Sequence, residues 1–429
     1  MKTIQDQVAW YQKPFSTTAP LRKDISTDVI IIGGGMAGLS AAQSFAQQNA
    51  KVVLIEKDFC GSGASGKSSG FITPDSELSL HDIAHTYGMQ EAKKIWNFIT
   101  SGVAFIENNI KEFSLTCAYE KQDTLVLASS ARSFKKIIDK EYQIRKELGF
   151  PAQIHTQEQL PSLISSDAYY GGISYNNTFS INAFSYCQEM KKILQDMHVQ
   201  IYESTPALSI QDNKVITSQA TIQATNIVVC ADHFTPQLIP DMKYKIYHAQ
   251  TFIMLSEVLS SEQIRAIFPE KHFMAWDTDL IYHYFRLTPD NRFMIGGASL
   301  LYTYANHEKH HSHYIMHTLM QYFYKNFPQT TSIKFEYIWP GLIGISKDLF
   351  PLAGFDEHMP SVYYATAAAG LPLAAALGNY SAQHILHKKN ELGAYLSPYR
   401  HFTLGKTVQK MLGTKLTFAL NNFLKVSSL

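Results

Sequence analysis

Two periodicities divide this chain. In its first half, short apolar runs alternate with helical patterns, whereas from Tyr244 onward apolar and polar residues largely alternate one by one. Asp28 to Ile32 reads DVIII, a β-branched run that suits a strand covered on both faces. GGGMAG follows at once, then the helical LSAAQSFAQQ with small residues facing inward, then a second strand, KVVLIE, ending at Glu56. Ile181 to Met197 keeps apolar residues at helical spacing, QIYESTPALSI gives strands around Pro206, and ATNIVVCAD gives a further buried strand. KIYHAQTFIMLSE and LIYHYFRLTPDNRFMIGG alternate as antiparallel strands do, with Pro289, Asp290 and Asn291 as a turn. The run Val362 to Gly378 is slightly short for a membrane span and is interrupted by Gly370 and Pro372, so it predicts a strand, a turn and a buried helix.

The order strand, glycine turn, helix, strand, acid is that of a dinucleotide site. Gly33, Gly35 and Gly38 satisfy G-x-G-x-x-G. The first allows the tight turn, the second lets the backbone approach a diphosphate, and the third lets helix and strand pack closely. The helix start offers free N–H groups and a positive dipole end to phosphate. Glu56 can accept hydrogen bonds from both ribose hydroxyls.

Two other motifs match patterns whose surroundings do not support them. GSGASGKS, from Gly61, fits the phosphate-cradling G-x-x-x-x-G-K-[ST]. That loop must leave a core strand directly and open a helix. Here KDFC intervenes after KVVLIE, and Gly70 and Pro74 break any helix that starts. HEKHHSHYIMH, from His307, contains H-E-x-x-H, with His317 at a third-ligand position. Tyr314 stands where a glycine would end the helix, and His317 falls roughly 120° round from His311 on a continuing helix. Ile315, Met316, Leu319, Met320 and Phe323 keep that helical spacing, so no metal is expected.

The bulk properties narrow the picture little further. The 429 residues, with 37 basic against 36 acidic side chains, allow a large core in two domains and give no sign of a nucleic-acid-binding stripe. Cys60, Cys117, Cys187 and Cys230 are scattered without a C-x-x-C pair, which fits free thiols and a cytoplasmic protein. After Arg400, Leu404, Val408, Met411, Leu412 and Leu416 recur at near-helical spacing. Such a helical tail can touch a membrane surface but more often covers its own core.

GASGKSSG resembles the GASGRNGG loop of FAD-dependent amine oxidoreductases of the D-amino-acid oxidase superfamily, gamma-glutamylputrescine oxidoreductases in particular. HYFRLTPDNRFMIGG resembles their YYRLTADNRLLYGG run, and YIWPGLIGISKDLFPLAG their return into the cofactor domain. The resemblance implies an α/β (α+β) fold: a Rossmann-like domain with a central parallel sheet and a three-stranded β crossover, plus an inserted substrate domain with a mostly antiparallel sheet. Residues 24–115, 150–240 and 340–400 would form the FAD domain, 116–149 and 241–339 the substrate domain, and 401–429 the tail.

The resemblance also implies non-covalent FAD, held by Gly33, Gly35, Met36, Ala37 and Gly38, by Glu56 and Lys57, and by Gly63, Ala64, Ser65, Ser68, Ser69, Gly70 and Phe71. Ala207, Ala231, Gly341, Gly370, Leu371 and Pro372 complete that set. Relatives carry Gly-x-Ser-Gly-His-Gly at the last junction; Leu371 and Pro372 replace its small pair and its histidine is missing. The implied reaction moves hydride from the carbon beside a neutral amine to flavin N5, after which the imine is hydrolysed. Oxygen or another acceptor then takes the electrons. Lys347 is the expected cation near the flavin. Arg286 is expected to hold a substrate carboxylate bidentately, beside Tyr284 on the same strand face, favouring an amino acid or gamma-glutamyl amine. The residues alone leave open an NAD-dependent dehydrogenase or a non-catalytic flavoprotein.

Overall fold

A computed structural model describes residues 4–12, 15–75, 77–279, 282–297, 304–305, 307–309 and 313–428, with side chains to residue 421. At its centre lies an eight-stranded sheet. Its parallel part runs Gln200–Tyr202, Val52–Ile55, Ile25–Ile32, Thr221–Val229 and Val362–Thr366. The apolar run of Ile25–Ile32 serves two cores at once. Val29 and Ile31 enter the helical core, and Ile30 and Ile32 enter the core on the opposite face, as a period of two requires. Ser209–Gln211, Lys214–Ile216 and Thr221–Val229 form the three-stranded crossover as an antiparallel meander.

The helices Met36–Ala46, Met89–Glu112, Ala183–Asp196 and Leu371–His387 cover one face of this sheet. Two glycines set how closely three of them approach. A Cβ on Gly378 would lie 2.2 Å from the Ala37 carbonyl oxygen, and one on Gly102 would lie 1.8 Å from that of Pro372. The Leu371–His387 helix is therefore pinned backbone to backbone from two sides. Val362–Thr366 and Leu371–His387 are the strand and buried helix that the apolar run specifies.

A second sheet of nine strands has the order Gln5–Asp6, Phe335–Ser346, Ile246–Val258, Arg292–Gly297, Tyr284–Leu287, Phe273–Asp277, Asp123–Leu127, Gly171–Tyr175 and Gln153–Thr156. It is antiparallel except where Gln5–Asp6 meets Phe335–Ser346 and where Asp123–Leu127 meets Phe273–Asp277. The helix His313–Asn326 covers it with Ile315, Leu319 and Phe323. Gln153–Thr156 and Gly171–Tyr175 belong to this sheet, so a boundary at residue 150 places them with the wrong set of strands. Strands this short carry too little pattern to show which sheet they join, and only their pairing partners, seen in the folded chain, decide it.

Candidate functional site

The glycine turn stands where the parallel strands end. Gly33 has φ +112°, its N–H donates to the Ile55 carbonyl at 2.9 Å, and a Cβ there would lie 2.5 Å from the Cys230 carbonyl oxygen. A Cβ on Gly38 would lie 1.9 Å from the Gly33 carbonyl oxygen. These two glycines are demanded by backbone contacts. Gly35 is different: its Cβ would meet only the Ser65 side chain, 3.0 Å from Oγ. The Met36 N–H at the helix start donates to that same Ser65 Oγ at 2.9 Å.

Glu56 closes the neighbouring strand. One carboxylate oxygen accepts from the Gly34 N–H at 2.7 Å and the other from the Asp58 N–H at 3.0 Å. Burial pushes its pKa up, against these two bonds and nearby Lys57. Each oxygen keeps lone-pair capacity for a further donor.

A cavity of about 510 Å³ runs from Glu56 past the glycine turn to Gly370 and Ile343. That size suits a ligand pocket. Gly33, Gly35, Met36, Ala37, Glu56, Lys57, Gly63, Ala64, Ser65, Ser68, Ala207, Ala231, Gly370 and Leu371 line it; Gly38, Ser69, Gly70, Phe71, Gly341 and Pro372 do not. Asp232, His233 and Phe234, and Thr366 to Ala368, line it as well. Both groups stand at or just beyond the carboxyl ends of parallel strands, and the rule that ligands bind there was the signal that could have found them. Asp232, at φ +45°, accepts the Gly344 N–H at 2.8 Å and so ties the cavity wall to the nine-stranded sheet. Gly370 holds φ +109° at the head of the Leu371–His387 helix, with Pro372 in its first turn.

The three expected reacting side chains lie outside this lining. Arg286 is 1% exposed. Its guanidinium donates to the carbonyls of Ser69 at 2.8 Å, Leu287 at 2.9 Å and Ile181 at 3.2 Å, and to Ser180 Oγ at 3.3 Å. It ties the end of the Gly/Ser loop to the nine-stranded sheet, and burial lowers its pKa to about 10. The Tyr284 hydroxyl is 3.3 Å from Thr251 Oγ1, with its ring over Gly296, and burial raises it to about 12.

Lys347 is 1% exposed, donates to the Leu404 carbonyl at 2.6 Å, and stands 5.6 Å from the Tyr247 ring centre. Burial lowers its pKa to about 8. Since the unfolded lysine titrates near 10.4, the unfolded chain binds more protons between about pH 8 and pH 10.4. This side chain therefore costs stability below that window, and the cost disappears as pH rises through it. Denaturant midpoints should show the native chain gaining on Lys347→Met by roughly 3 kcal/mol between pH 7 and pH 10.4. A gap that stays constant would refute the assignment.

The two remaining motifs are joined to each other rather than to a ligand-holding arrangement of their own. Ala64–Lys67 is a single helical turn, and Ser68 returns to extended backbone. Lys67 pairs with Glu308 at 2.5 Å, and its carbonyl accepts from Trp339 Nε1 at 2.9 Å. His311 lies outside the described residues; among those described, no group of three His, Cys, Asp or Glu side chains is placed to hold a metal.

The glycine cradle, the open helix start and the strand-end carboxylate together fit a dinucleotide such as FAD. Comparison with known proteins agrees. The family model DAO, FAD dependent oxidoreductase, matches residues 28–384. A probable oxidoreductase OrdL of Haemophilus influenzae is 27% identical over 94% of this chain and 93% of its own length. The gamma-glutamylputrescine oxidoreductase of Escherichia coli is 23% identical over 83% of this chain and 82% of its own. The glycine oxidase structure from Geobacillus kaustophilus superposes with a TM-score of 0.74 at 17% identity, over 88% of this chain and 99% of that one, which establishes the shared fold.

Proposed function

This chain belongs to the DAO family of FAD-dependent oxidoreductases, and from that premise we propose that it oxidises the C–N bond of a small amine or amino acid. The observation that carries the reading is the cavity, which continues from the glycine turn to a wall shared by both sheets. When bound, FAD supplies the acceptor for the hydride leaving the carbon beside the amine nitrogen. The chain supplies position and dryness. Gly33, Gly35 and the Met36 helix start would hold the diphosphate and Glu56 the ribose. Ile343, Phe234 and Leu371 contribute apolar surface that excludes water and favours the neutral amine. Water then hydrolyses the imine product.

The substrate class rests on the named activities of the relatives, one acting on gamma-glutamylputrescine and one on glycine. No helix among the described residues is long and apolar enough to cross a membrane. The test is anaerobic mixing of the yellow protein with a panel of amines and amino acids. Bleaching near 450 nm by at least one of them is expected. Readmitting air then separates dioxygen from another acceptor. A protein that holds FAD and bleaches with no member of the panel would refute amine oxidation while leaving the cofactor assignment intact.

A further inference from the structure

The chain as a whole is nearly neutral, but residues 401–429 hold four lysines and a histidine and no acidic side chain. They form two helices, Lys406–Leu412 and Thr414–Ser428. One face of this tail is committed to the body of the protein. Gln409 donates to the Lys243 carbonyl at 2.9 Å. The Phe418 ring meets Tyr247 edge-on at 5.1 Å and packs at 5.6 Å from Tyr304.

The other face is apolar and open. Leu416 and Leu420 sit two residues either side of Phe418, roughly 200° round the helix, and so point away from the body. They are 51% and 37% exposed, and Met411, just before the Gly413 turn, is 80% exposed. The helix cannot turn them inward without withdrawing Phe418 from its pocket. Lys415 is exposed beside them; Lys410 is exposed as well, with its ammonium 6.0 Å from the Tyr244 ring centre, and Lys406 pairs with Asp241 at 3.1 Å.

We infer that this tail docks the protein onto an anionic lipid surface. Apolar side chains facing outward, flanked by lysines in a segment free of acids, have the make-up of a helix that lies in the headgroup region. A second copy of the chain fits less well. Two such tails laid together would bring lysine-bearing, acid-free segments against one another, which their like charge opposes.

The inference is independent of the cavity, because flavin absorbance reports on one and lipid partition on the other. The full flavin-loaded chain is mixed with vesicles of phosphatidylcholine, with or without phosphatidylglycerol, and sedimented. It should follow the phosphatidylglycerol vesicles only, and high salt should release it. Leu416→Glu with Leu420→Glu should cut partition about tenfold or more with flavin absorbance and melting temperature unchanged, and Met411→Glu should act the same way. No sedimentation, equal binding to neutral vesicles, or unchanged binding by the variants would overturn the inference. So would a dimer that the same variants dissociate, which would assign the face to a second copy.

Discussion

Gly35→Val is expected to give a folded chain that purifies without flavin. The Cβ it adds has no backbone atom within 4 Å and meets only Ser65 Oγ, at 3.0 Å, and Ser65 Cβ, at 3.9 Å. A serine side chain can turn aside, so the fold tolerates the change. The proposed cradle would not, because Gly35 lines the cavity at the helix start, where a bound diphosphate would come against the backbone. The γ-methyl groups would occupy that approach. A loss of at least about 100-fold in FAD affinity, near 3 kcal/mol, is expected. The ratio of 450 to 280 nm absorbance and a titration with FAD measure it, while circular dichroism checks the fold. Gly33→Val provides the contrast. Its Cβ would stand 2.5 Å from the Cys230 carbonyl at φ +112°, so that variant should fail to fold. Retention of flavin by Gly35→Val would refute the diphosphate site.

Arg286→Met should produce the largest loss of stability among the side chains considered. Methionine fills much of the same space but leaves the carbonyls of Ser69, Ile181 and Leu287 and the Ser180 hydroxyl without this donor. Unsatisfied buried acceptors cost about 1–3 kcal/mol each, and partial relaxation makes a total on the order of 4 kcal/mol reasonable. Arg286→Lys should recover only part of it, because an ammonium cannot reproduce the planar fork. Ser69 ends the loop whose Gly63, Ala64, Ser65 and Ser68 line the cavity, so flavin retention should fall as well. If Arg286 instead served to hold a substrate carboxylate, Arg286→Met would keep its denaturant midpoint and raise KM for carboxylate-bearing substrates alone.

What the sequence determined by itself is local. DVIII, GGGMAG, the following helix and KVVLIE state a complete βαβ unit within about thirty residues, since each part depends on its neighbours in the chain. Pro289, Asp290 and Asn291 likewise join Tyr284–Leu287 to Arg292–Gly297, an antiparallel pair read from alternation alone. The break in Val362 to Gly378 falls where the polypeptide turns at Gly370.

Only the tertiary structure decided which distant parts meet. Period two put Tyr284 and Arg286 on one strand face, but which acceptors surround the guanidinium depends on Ser69, more than two hundred residues away. Lys347 shares a motif with cavity-lining Ile343, yet its ammonium turns to a carbonyl of the C-terminal tail. Asp232 to Phe234 became cavity wall because strands from far ends of the chain align their carboxyl ends. Gly102 and Gly378 are ordinary helix residues by pattern and are fixed as glycine by backbones that arrive from elsewhere. Side-chain periodicity records which way a residue points, whereas contact also requires the element opposite, and that element is set by the packing of the whole chain.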